Sequence, residues 1–361
     1  MTTSLRRLSV GSGQITKRAY ARVGLVGNPS DGYRGKCIAA SISNYYAEAV
    51  LTPTPGSSKI VFVPGPYDAN ESASFDDLAA HVERHGVDGG IRLLKSMCCN
   101  IKRYCAETDQ KIDPSRPGFR LSYSSNIPKQ TGLSGSSGII ISAMACVIAH
   151  YDLHIPKEDR PSLALRVEHD VGINAGPMDR VIQVHGGVVH MDFSEPRTSS
   201  SGAGLVVHGV YTHLDASKLP KLYLVWAENP SDSGKTHSTV KQRWNEGDVE
   251  VVEGMKSCAR LCDEYAAALE NGASMTKFKE IMDANFDLRR RMFGDSALGA
   301  LNLKMIETCR SVGCGAKFTG SGGAAIAVCP DGDVQLEALK RACRANGFQV
   351  EAVQILEGSE C

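Results

Sequence analysis

Apolar positions along this chain change period several times, and each change marks an element. Ile140, Ala143, Met144, Val147, Ile148 and Tyr151 recur at three- and four-residue spacing, the stripe of a helix. The same period through Ile91, Leu94, Cys98 and Ile101 predicts a helix over 89–107. Further helices are expected over 75–85, 162–172, 178–185, 249–271, 274–287, 297–312 and 334–345, with another ending near Trp244. Gly347 follows the last as a C-cap. Short β-branched and apolar runs predict strands over 20–27, 36–51, 59–64, 119–126, 186–193, 221–227, 316–319, 324–329 and 348–356. Segment 194–204 holds Pro196 and Ser199-Ser200-Ser201-Gly202, and reads as an exposed loop or a domain crossing. Strands and helices mix without a regular βαβ beat, so the fold class is α+β.

Four polar, glycine-rich stretches interrupt this pattern: 22–35, 128–138, 168–180 and 319–323. The second organises the rest. It runs P-K-Q-T-G-L-S-G-S-S-G and enters the apolar helix directly. Gly132, Gly135 and Gly138 permit turns that a β-carbon would obstruct, with Ser134, Ser136 and Ser137 between them. A flexible linker would be flanked by polar sequence, whereas this one abuts a patterned helix and follows Pro128. Free N–H groups at a helix start, with the helix dipole behind them, suit a phosphate. The stretch lacks the G-K-[S/T] of the common P-loop and the G-x-G-x-x-G of dinucleotide binders.

Composition narrows the picture. The 361 residues suffice for one large or two ordinary domains. Forty Lys and Arg balance forty Asp and Glu, which argues against nucleic acid or a membrane surface as partner. No apolar run has the length a bilayer needs. The twelve cysteines are scattered, with no zinc-ligand spacing, and read as reduced thiols of a cytoplasmic protein. The first acidic residue is Asp31, and residues 1–18 read as a disordered tail rather than a transit peptide.

Among ionisable residues, Glu168 sits near a helix end and Asp179 in the first turn of the next helix. Such acids are commonly solvated charges or dipole partners. Both, however, neighbour glycine-rich backbone downstream of the anion loop. A phosphate site calls for a divalent cation on one or two carboxylates, and for a group that handles the attacking hydroxyl. Arg22, before the turn 28–32, offers a permanently charged fork for oxyanions.

These motifs resemble the GHMP small-molecule kinases. Residues 128–138 look like that family's ATP loop, P-x-x-x-G-L-[GS]-S-S-A. R-V-G-L-V-G-N-P-S-D at 22–31 is similar to the sugar-kinase opening R-V-N-L-I-G-E-H-x-D. K-F-T-G-S-G-G at 317–323 looks like the third, glycine-rich motif. Gly135 is inserted, Gly138 replaces an alanine, and Asn28-Pro29 replaces Glu-His. With A-E-N-P-S-D-S-G-K at 227–235 and N-F-D-L-R-R-R-M-F-G-D at 285–295, these departures most resemble the glucuronokinases.

The resemblance implies a two-domain fold. A ribosomal-protein-like N-terminal domain would span 19–215 and a ferredoxin-like C-terminal domain 216–361. It implies ATP and Mg²⁺ as cofactors and D-glucuronate as the small-molecule substrate, phosphorylated at its anomeric oxygen. Position by position, it implies ATP contacts along Pro128, Thr131, Gly132, Leu133, Ser134, Gly135, Ser136, Ser137 and Gly138. Mg²⁺ would lie on Glu168 with Ser136 or Ser137. Asp179 would be the catalytic carboxylate and Arg22 the catalytic arginine. Asp31, Gly320, Ser321 and Gly322 would line the sugar, with Arg34 and Lys235 candidates for the uronate carboxylate. The run 289–291 reads as a solvated helix face. Galacturonate, arabinose or galactose remain alternative acceptors, although Asn28-Pro29 argues against galactose. A sugar sensor of the same fold is a further alternative, which the intact acids and serines disfavour. The sequence assigns no oligomeric state.

Overall fold

The computed structural model describes residues 13–65, 68, 74, 89–203, 207–227 and 237–359. The expected helix over 75–85 and the segment carrying Lys235 lie outside them, as does most of the N-terminal tail.

The described residues form two sheets. The first contains β1 (Ile15–Val26), β2 (Lys36–Thr54), β3 (Ile60–Phe62), β4 (Gly118–Ser125), β5 (Val188–Thr198) and β6 (Val207–Leu214), in the order β3-β4-β2-β5-β6 with β1 beside β2. Strand β2 is long enough to pair with β1, β4 and β5 over different stretches of its length. Three expectations change here. β1 begins at Ile15, paired with Leu51, so residues 15–18 are strand rather than tail. β5 continues to Thr198 past an irregularity after Asp192, through the segment read as a loop. β6 was not expected; Gly209 and the two histidines His208 and His213 interrupt its apolar positions, and it pairs along one side with β5.

The second sheet holds β7 (Leu222–Ala227), β8 (Gly315–Phe318), β9 (Ala324–Val328) and β10 (Phe348–Ala352) in the order β10-β7-β9-β8, all antiparallel. That order, with helices after β7 and β9, is the ferredoxin-like arrangement.

Helices α1 (Gly90–Glu107), α2 (Gly135–Tyr151), α3 (Arg160–Asp170) and α4 (Met178–His185) accompany the first sheet. α2 is buried nearly all round, with Ile139, Ile141 and Ala145 as enclosed as the expected stripe. Its apolar residues merge into one core with Val23, Leu25, Ala47 and Ala49 of β1 and β2 and with Leu163 and Val167 of α3. A separate cluster seats Met178, Val181 and Ile182 of α4 on Cys37, Ala39, Val189 and Met191.

The second sheet is accompanied by α5 (His237–Asn245), α6 (Val249–Glu270), α7 (Met275–Phe293), α8 (Ala300–Ser311) and α9 (Asp333–Ala345). Side chains alternate along its strands. Leu222, Leu224 and Ile326 join the large core, while Tyr223, Val225 and Ala327 join a second one with Phe286 and Ile306. The sheets meet where Gly24 N donates to Thr319 O at 3.0 Å.

Candidate active site

All four glycine-rich stretches converge on one cleft of about 1410 Å³. Its lining includes Arg22, Asp31, Gly132, Ser136, Asp179 and Gly320.

Arg22 is fixed by its strand, opposite Ser41, and is only 3% exposed. Its Nε and Nη2 donate to Asp179 Oδ1 at 2.8 and 2.7 Å, and its Nη1 donates to Gly132 O at 2.5 Å. One planar group thus ties the α4 acid to the phosphate-type loop. Asp179 Oδ2 has Arg180 Nη1 at 3.9 Å. Packing of α4 on β2 and β5 holds this acid at the cleft.

The loop becomes helix earlier than its composition suggests. α2 starts at Gly135, so Gly135, Ser136, Ser137 and Gly138 form its first turn. Ser134 caps it in the left-handed region at φ 71°, and its buried Oγ has no hydrogen-bond partner. Ser136 Oγ donates to Glu168 Oε1 at 2.7 Å, whereas Ser137 Oγ turns back to Ser134 O at 3.2 Å. The structure therefore brings Ser136, and not Ser137, to the acid. Glu168 is fully buried, and its Oε2 is paired with Arg180. A hydroxyl and a carboxylate oxygen side by side at a helix start suit Mg²⁺, which takes few protein ligands and completes its shell with phosphate oxygens and water. Among the described residues no cluster of three or more His, Cys, Asp or Glu could hold a metal by itself. Pro128 and Thr131 shape the turn, Thr131 Oγ1 donating to Pro128 O at 2.8 Å, and Leu133 is buried in the core.

The 319–323 turn closes over this loop. Gly132 sits at φ +64°, and a Cβ there would lie 2.6 Å from Gly322 O, so only glycine allows the approach. Arg289 stabilises the turn from behind, its Nη1 and Nη2 donating to Gly320 O and Ser321 O at 2.6 and 3.2 Å. This corrects the reading of 289–291 as a solvated face: Arg289 is buried and lines the cleft. Its place on the stripe Met282, Asn285, Phe286, Arg289, Met292 was the available signal.

Asp31 lines the cleft, 8% exposed, with Met178 N donating to its Oδ2 at 3.3 Å. Burial, and then the nearby Asp179 carboxylate, push its pKa up to about 6. Asn28 faces inward: its Oδ1 accepts from Lys317 Nζ at 2.7 Å and its carbonyl from Asn285 Nδ2 at 3.2 Å. It thus serves as a structural brace. Arg34 lines the cleft, and Lys235 lies outside the described residues.

Comparison with known proteins decides the family. Residues 93–187 match the family described as GHMP kinases N terminal domain. The chain is 45% identical to glucuronokinase 1 of Arabidopsis thaliana over 352 residues, covering 96% of this chain and 94% of that protein. The chain belongs to the GHMP kinase family. It is also 44% identical to the probable glucuronokinase 2 of the same plant, covering 96% and 92% of the two chains. The crystal structure of Lactococcus lactis galactokinase with galactose superposes with a TM-score of 0.70 at 18% identity, covering 96% of this chain and 95% of that one. The likeness of fold extends over both sheets. This GHMP kinase is therefore a mixed α+β, two-domain sugar kinase that uses ATP as phosphoryl donor. Among the described residues no helix is long and apolar enough to cross a membrane.

Proposed function

We propose that this GHMP kinase transfers the γ-phosphoryl group of ATP to the anomeric hydroxyl of D-glucuronate, releasing glucuronate 1-phosphate and ADP. The observation that carries the reading is the Arg22 guanidinium, bonded at once to Asp179 and to the Gly132 carbonyl. It sets an acceptor-side carboxylate against the phosphate loop. The likeness to glucuronokinases supplies the acceptor.

In this reading Asp179 Oδ2 takes the proton of the anomeric hydroxyl, the most acidic on a sugar. The sugar oxygen forms its bond to the γ-phosphorus as the bond to the β-phosphate oxygen breaks, and ADP leaves. Arg22 and the N–H groups at the start of α2 offset charge on the phosphoryl oxygens. Ser136 and Glu168 would hold Mg²⁺, which would supply positive charge to offset that of the ATP phosphates. Ser134, with its unpartnered hydroxyl, is a donor for a phosphate oxygen. Gly320, Ser321 and Gly322 close the acceptor side, and Asp31 accepts from a sugar hydroxyl. We read the domain division at 215/216, between β6 and β7, and place the reaction in the cytoplasm.

The test is ADP release with Mg-ATP against glucuronate, galacturonate, galactose, arabinose and mevalonate. Glucuronate should be turned over best; preference for another of these acceptors would overturn the assignment. Replacing the acid by Asp179→Asn should lower kcat by about 10²–10⁴-fold. ATP should still raise the variant's Tm. Near-normal turnover in that variant would remove Asp179 from the mechanism.

A further inference from the structure

A sugar acid brings a second negative charge to a cleft that is to hold ATP and already carries Asp31 and Asp179. Most of the cleft's inner cations are committed. Arg22 is bonded to Asp179, Arg180 is paired with Glu168, and Arg289 spends both Nη groups on the Gly320 and Ser321 carbonyls. The acceptor's carboxylate needs another cation, and the three-residue turn Gly32-Tyr33-Arg34 gathers two.

Arg34 lines the cleft three residues beyond Asp31. Among the described residues its guanidinium has neither a hydrogen bond nor an ion pair. Its backbone stands at φ 56°, ψ 33°, with its N–H donating to Ser30 O. A residue with a β-carbon rarely adopts that left-handed conformation outside constrained sites. Lys241, which also lines the cleft, reaches the same turn from α5. Its Nζ donates to Gly32 O at 3.0 Å and lies 4.8 Å from the centre of the Tyr33 ring. An ammonium has three donors, and the Gly32 carbonyl uses one. Tyr33 is steadied from behind by Trp244, ring centres 5.3 Å apart and edge-on.

We propose that Arg34 and Lys241 together form a clamp for the carboxylate of the sugar acid, beside the Tyr33 ring. The proposal rests on the acceptor reading above. It sets the acidic end of the substrate at the outer turn and leaves the anomeric hydroxyl for Asp179. Arg34 presents a fork suited to two carboxylate oxygens, and Lys241 a point charge from α5. A neutral sugar lacks this contact. The clamp therefore selects acids over their uncharged analogues.

The experiment compares D-glucuronate with its uncharged 6-amide in the unaltered enzyme, Arg34→Gln, Lys241→Gln and the double variant. Each single change should raise the amide-to-acid ratio of kcat/KM by about 10–100-fold, the range of a lost hydrogen bond to a charged group. The change should come through the KM for glucuronate, with kcat at saturation largely kept. Added salt should raise the glucuronate KM of the unaltered enzyme more steeply than that of the double variant. A Tm increase with ATP in each variant shows that the fold and nucleotide site persist. An unchanged ratio in the double variant, with glucuronate still turned over by the unaltered enzyme, overturns the clamp alone. An unaltered enzyme that phosphorylates a neutral sugar but not glucuronate overturns the acceptor reading, and the clamp with it.

Discussion

The chemistry of single residues here is set by what stands within a few ångströms of each, as Asp31 illustrates. Burial and the neighbouring Asp179 raise its pKa to about 6, above the unfolded value of about 3.9. Between those values the folded chain binds more protons than the unfolded one, so stability falls as pH rises from about 4 to about 6. Above that window, holding Asp31 ionised costs the fold roughly 1–3 kcal/mol. Asp31→Asn should therefore raise Tm at pH 7.5 and lose that advantage at pH 4. A lower Tm than the parent at pH 7.5 would contradict this account of Asp31. If Asp31 also meets a sugar hydroxyl, the same variant should have a higher acceptor KM. On the metal side, Glu168→Gln keeps the shape but removes the charge facing Ser136 and Arg180. A rise of at least ~10-fold in the Mg²⁺ concentration needed for half-maximal rate is expected, since the ion prefers carboxylate oxygen. An unchanged Mg²⁺ requirement would move the ion elsewhere.

Elements show how far periodicity can be trusted. α2 was legible because its apolar spacing is regular, although the structure buries it on all sides. β6 was not legible, because Gly209, His208 and His213 break the regularity of its apolar residues, and a strand at the side of a sheet owes much of its form to its partner. The inserted Gly135 is resolved at this scale. It is the first residue of α2, and a Cβ there would find its nearest neighbour, Ile127 Cγ2, at 3.8 Å. Gly132 is different, being in the left-handed region with Gly322 O against it. Gly135→Ala should thus be tolerated, with stability changed by less than ~1 kcal/mol. Gly132→Ala should raise the ATP KM by ~10-fold or more, by prising the two glycine turns apart. Equal behaviour of the two variants in an ATP titration would refute the distinction.

At the scale of the molecule, the site exists because two sheets meet. Lys317, on β8, is buried and uses its three donors on Gly24 O, Asn28 Oδ1 and Phe318 O at 2.8, 2.7 and 2.7 Å. It locks the opening motif of the first sheet to the hairpin that carries the closing turn. Lys317→Met leaves three buried acceptors without a donor and should destabilise the chain by about 3–5 kcal/mol, read by denaturant unfolding. A loss below about 1 kcal/mol would show that the junction is held by apolar packing alone.

The sequence by itself determined most elements, the four glycine-rich stretches and the chemical types in them: a carboxylate after the loop, another opening the next helix, an arginine on the first strand. These are local properties, fixed by spacing and by which backbone conformations glycine permits. It could not determine which serine meets Glu168, that Asn28 points inward to Lys317, or that Arg289 belongs to the cleft while Arg291 faces solvent. Those depend on contacts between residues far apart in the chain, Arg22 with Asp179 and Gly132 with Gly322 among them. Only the packing of two sheets and their helices against one another brings such residues within hydrogen-bond distance.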